Sequence, residues 1–96
     1  MAEWLTRSHL EDHYSRHRGP LRTRSVAEYD ASVQETIAIG TRFTYIDRDT
    51  RLRRIGYFHR ASSRFAATTA EGYVVNHFLT DEGYVADLID STYTDE

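Results

Sequence analysis

Ninety-six residues, 40% of them hydrophobic and 28% charged, suit one globular domain and are too few for two cores. Cysteine is absent, which excludes a disulfide framework, a thiol nucleophile and a cysteine-ligated zinc site. No apolar run approaches about 18 residues, so no membrane span is expected. The opening Met1–Arg7 stretch lacks the basic-then-apolar layout of a secretory signal, so a cytoplasmic protein, or the mature part of something larger, is expected.

The net charge of −3 hides an asymmetry. Residues 1–64 hold all twelve arginines against eight acids, and residues 65–96 hold seven acids and no Arg or Lys. Within 42–64 there are seven arginines against two acids. A basic middle followed by an acidic tail can attract nucleic acid, or the tail can fold back and neutralise the middle.

In chain order, residues 1–7 read as a loose lead-in. Ser8-His-Leu-Glu11 has the pattern of a capping box, and a helix follows to about Arg18, stopped by Gly19-Pro20. His9, His13 and His17 share one stripe of it. Ser25-Val-Ala-Glu28 is a second capping box, opening a helix whose Val26, Tyr29, Val33 and Ile37 face the core and which ends at Gly40. The period then becomes two. Strands are expected over 41–47, 51–60, 65–69 and 73–78, joined by turns at 47–50, 61–64 and 70–72. Short connections make neighbouring strands antiparallel, giving a four-stranded meander. In 84–90, the pairs Tyr84/Leu88 and Val85/Ile89 favour a short helix over an edge strand. Residues 91–96 read as a loose tail partly held by Tyr93. The expected architecture is α+β, one domain over 1–96, with two N-terminal helices on one sheet face and the other face more open.

Two groups of residues carry chemistry. The helix histidines invite zinc, but His9-Leu-Glu-Asp-His13 lacks the order of a zinc protease helix, and no metal is expected. The second group lies on the sheet. If Phe58 pairs with Phe65, Arg54 sits opposite Thr69 and Gly56 opposite Ala67, leaving a floor of small residues beneath a ligand. His77 joins that face or the opposite one according to the 70–73 turn. An arginine on phosphate, a hydroxyl and one or two histidines suffice to cleave RNA by attack of its own 2′-hydroxyl, with no cofactor.

The order of signals is His13-Tyr14-Ser-Arg-His17, Ser25 to Tyr29, Arg54-Ile-Gly-Tyr57, Arg64 to Thr69 and Asn76-His-Phe78. This resembles the barnase–EndoU–colicin–RelE (BECR) superfamily of small bacterial and phage proteins, mostly metal-independent ribonucleases and often toxins. The chain departs from the superfamily pattern in placing Arg18 between the helix His and Gly19, and Asn76 where a Thr often precedes His-Phe. The resemblance implies His17 or His13, Arg54, Thr69 and His77 as catalytic residues. Arg53, Tyr57 and Asn76 would contact the substrate. RNA would be the partner, with an antitoxin or immunity protein as a second. Two alternatives stand beside the ribonuclease: a non-catalytic module binding RNA or protein, and an interaction domain that dimerises over the open sheet face.

Overall fold

The computed structural model describes residues 2–94 of the chain, and for 91–94 the backbone course alone. Met1, Asp95 and Glu96, and with them part of the expected loose ends, lie outside the described residues, as does the side chain of Tyr93.

Thr6 rather than Ser8 starts the first helix. Its extended backbone and its hydroxyl, which accepts the His9 amide at 3.0 Å, place the cap two residues earlier than the Ser8 box, so α1 covers Arg7–His17. At Ser25 the local signal holds. Its hydroxyl accepts the Glu28 amide at 3.1 Å and α2 runs Val26–Ile39. The Glu28 carboxylate reaches back one residue further than a capping box requires, to the Arg24 amide at 3.1 Å. Between the helices the left-handed residue is Arg22, with φ 55°, and not Gly19. Three backbone bonds (Leu21 to His17, Arg22 to Gly19, Thr23 to Arg18) wind this loop tightly.

The strands are β1 Thr41–Ile46, β2 Arg53–His59, β3 Arg64–Thr69 and β4 Val74–Leu79, hydrogen-bonded in sequence order as an antiparallel meander. The register is the expected one: Phe58 opposes Phe65, Gly56 opposes Ala67 and Arg54 opposes Thr69. The 2–6 lead-in is tied down. Trp4 forms a parallel bridge with Val74 and its indole donates to Asp30, while Ala2 exchanges hydrogen bonds with Gln34.

Residues from Glu82 to Thr94 form a helix, α3, of 13 residues. It answers the helix-or-strand question and overturns the expectation of an open sheet face. The α1/α2 side buries Leu10, Tyr29, Val33 and Val74. The other side buries Tyr45, Phe58, Phe65, Ala67 and Val75, with Val85 and Leu88 of α3 packed over them. The floor of small residues is filled as well. Phe43, paired with Gly56, lays its ring in the space a side chain there would need. Both faces are therefore covered, which lets a 96-residue chain bury two apolar layers. No helix among the described residues is long and apolar enough to cross a membrane.

Candidate functional site

Arg54 and Thr69 lie side by side, as the pairing requires, and with Arg53 and Glu71 they border a small concavity of about 160 Å³. Arg54 is not free for phosphate. Its guanidinium meets the Asp47 carboxylate at 3.3 Å, and both side chains are four-fifths buried. Burial alone would raise the Asp47 carboxyl, but hydrogen bonds from the Thr50 amide and hydroxyl, together with the charge of Arg54, hold it below the usual carboxylate range. The Thr69 hydroxyl accepts the Tyr73 amide at 3.2 Å and shapes the turn.

His77 lies across the sheet from this pair. Between β3 and β4 the register shifts: Ala67 opposes Asn76, yet Thr68 opposes Val74, leaving Val75 as an extra residue. This bulge sends Val74 and His77 to the α2 side and Asn76 to the α3 side with Ala67. His77 is fully buried against Tyr29, whose hydroxyl donates to the His77 carbonyl. The helix histidines are on the α2 side too, and they pack. Trp4, His9, His13 and His17 form a ladder of rings 4.9 to 6.0 Å apart along α1 and its lead-in, ending on Phe78 at 5.6 Å. His13 is 4% exposed and its Nδ1 has no partner. Burial first, then the nearby charge of Arg16, lowers His13 to about 4 and pushes His17 down as well. Among the described residues, no three of His, Asp and Glu are placed to hold a metal ion.

The residues expected to act together thus divide between the two faces. Arg53, Arg54 and Thr69 are at one end, on or beside the α3 side; His13, His17 and His77 are beneath α1 and α2. Tyr57 is half-buried opposite Ala66, and Asn76 is half-buried opposite Ala67.

Two arrangements arise that the motifs did not single out. The first is the α1–α2 loop. Tyr14, Arg18, Gly19, Arg22, Thr23 and Arg24 line an open concavity of about 470 Å³. Among the described residues, Arg18, Arg22 and Arg24 enter no ion pair, whereas Arg16 pairs with Asp12, Arg54 with Asp47, Arg60 with Glu82 and Arg64 with Glu35. The Arg18 guanidinium lies 6.0 Å from the centre of the Tyr14 ring. A signal for this loop was present in the sequence: from His13 to Ala27 there are four arginines and no carboxylate.

The second is a hydrogen-bonded chain across α2 and the sheet. Arg64 donates to the Ser32 hydroxyl at 3.4 Å, Ser32 lies 2.9 Å from His77 Nε2, and His77 Nδ1 lies 2.9 Å from the Phe65 carbonyl. Nothing in the sequence marks Ser32, which is 45 residues from His77. No family model matches the chain, and neither a curated protein nor a solved structure matches it.

Proposed function

We propose that the protein is a binding module for single-stranded RNA, holding phosphates on the α1–α2 loop. The observation that carries this is the concavity with three guanidiniums, no carboxylate in its lining and, among the described residues, no ion pair on Arg18, Arg22 or Arg24. Like charges held together repel, and phosphate oxygens offset that repulsion while matching the guanidinium fork. Tyr14 and the guanidinium planes add flat surfaces for unstacked bases. A loop pocket of this size suits a single strand, whose bases can be splayed out, better than an A-form RNA duplex, whose deep, narrow major groove side chains cannot read. Binding proceeds without cleavage, because the guanidinium of Arg54 and the histidines are on opposite sides of the sheet. Neither an antitoxin nor a second copy of the chain is required for it.

The test is fluorescence anisotropy of a labelled single-stranded oligoribonucleotide at several salt concentrations. Arg18→Ala, Arg22→Ala and Arg24→Ala each weaken binding and flatten the slope of log affinity against log salt by about 0.7, and the triple variant does not bind. Arg54→Ala binds as the unmodified chain does, and the RNA stays intact in EDTA. Full binding by the triple variant, or loss of binding in Arg54→Ala, overturns the assignment to the loop. RNA cleavage that disappears in Arg54→Ala would restore the sheet-borne nuclease.

A further inference from the structure

We propose that Ser32 is a nucleophile activated by His77, able to take the acyl group of a small carboxylic ester that carries a cationic substituent. This site is separate from the RNA loop and does not depend on it.

The direction of every proton in the chain follows from its ends. The Phe65 carbonyl can only accept, so His77 Nδ1 carries the hydrogen. A neutral ring then has its lone pair on Nε2, which accepts from the Ser32 hydroxyl at 2.9 Å. Arg64 can only donate, and it donates to the Ser32 oxygen at 3.4 Å. The result is a hydroxyl with a base on its proton and a cation beside its oxygen. A nucleophilic serine needs that order of partners, with the base itself oriented by a third group. His77 is fully buried, so its orientation is fixed by packing. Ser32 is half-buried and borders an open groove of about 340 Å³ with Leu21, Thr23, Ala31, Glu28, Glu35 and Arg64.

The groove also selects the electrophile. Two carboxylates line it, Glu28 and Glu35, against one guanidinium, and Arg64 is already 3.1 Å from Glu35. A phosphodiester would enter facing both carboxylates and be repelled. A neutral ester is admitted, and an ammonium on its acyl part gains the Glu28 charge.

The step balances with the groups present. Ser32 Oγ bonds to the ester carbonyl carbon as its proton moves to His77 Nε2, and the carbonyl oxygen becomes an oxyanion facing Arg64. Collapse breaks the bond to the alcohol, which leaves with the proton from His77. Water then attacks the acyl-serine, gives its proton to His77, and the carboxylic acid departs as Ser32 regains its hydrogen.

Burial first lowers His77 to about 4, the Phe65 carbonyl opposes the shift, and Arg64, His17 and His13 add to it. From the packed elements it is faced by Arg64 on β3, His13 and His17 on α1, and Tyr29 on α2. The ring is therefore a neutral but weak base near pH 7, and slow turnover follows.

The full chain is treated with a fluorophosphonate and, separately, with the p-nitrophenyl ester of an amino acid having a free amine. Intact mass and peptide mapping locate any adduct. Expected are one adduct per chain on Ser32, a burst of one equivalent of nitrophenolate, and a labelling rate that changes less than about twofold between pH 5.5 and 8. Ser32→Ala loses all three. Ser62→Ala keeps them, although Ser62 also bonds a histidine, His59, at 2.7 Å. An unlabelled protein, or an adduct on Ser62 or elsewhere, overturns the proposal. If Ser32→Ala fails to fold by circular dichroism, the mapped position in the unmodified chain decides alone.

Discussion

Gly40 caps α2 with φ −73° and ψ 156°, a conformation open to any residue, so its reason for being glycine lies in its surroundings. A Cβ there would sit 2.6 Å from the Thr36 carbonyl oxygen and 3.1 Å from the Phe58 amide nitrogen. Both are backbone atoms and cannot swing aside. Gly40→Ala is accordingly expected to lose about 1–3 kcal/mol, as overpacked sites do, read from the urea midpoint. A change of a few tenths would mean that α2 and β2 separate more easily than their packing implies. Arg54 shows the limit of reading single residues. Its neighbour across the sheet, Thr69, follows from alternation. Its charge partner, Asp47, lies around the turn and takes the guanidinium that the sequence had offered to phosphate.

Among the elements, the β2–β3 hairpin was legible from period-two alternation and a short turn, and setting Phe58 against Phe65 across that turn gives the observed register. The Ser25 cap was legible because it depends on residues three apart. The β4 facing was not. The sequence posed it as a matter of the 70–73 turn, and the bulge at Val75, inside the strand, decided it. α3 was legible as an amphipathic segment, but nothing local says which layer its apolar side covers. It covers the aromatic layer, and Val85 is the point to test. Val85→Asp puts a carboxylate against Phe43 and Phe58 and should cost roughly 2 kcal/mol or more, with loss of near-ultraviolet aromatic dichroism. Unchanged stability would show that α3 is dispensable to the fold.

At the scale of the molecule, the charges sort themselves. The acidic tail does fold back: Glu82 pairs with Arg60, and α3 lies over β1 and the aromatic layer. In the basic middle Arg54, Arg60 and Arg64 are answered by carboxylates, whereas Arg18, Arg22 and Arg24 of the 18–24 loop enter no ion pair among the described residues. The buried histidines make the whole fold acid-sensitive. His13 and His77 are each lowered to about 4 from an ordinary 6.5, so the unfolded chain binds their protons first as pH falls. Their contribution is complete above about pH 6.5 and is lost as pH falls from there through about 4. At its limit it amounts to roughly 3 kcal/mol for each, a large part of a small domain's stability. The urea midpoint should fall across that window and His13→Leu should reduce the fall; a midpoint flat from pH 6.5 to 4 contradicts the burial of these rings. Asp47 acts in a separate, more acidic window, because its carboxyl is held below the usual range.

The first two helices, the order of the strands, the meander and the turn at Asp47 were legible from the chain, because caps, turns and alternation join residues a few positions apart; the hairpin register followed once Phe58 was set against Phe65. Which arginines stay unpaired, which face His77 joins and whether Ser32 meets it depend on how the layers pack. The hydrogen bonds at Ser32 join groups 32 and 45 residues apart, and one extra residue in β4 sets the face from which His77 reaches it.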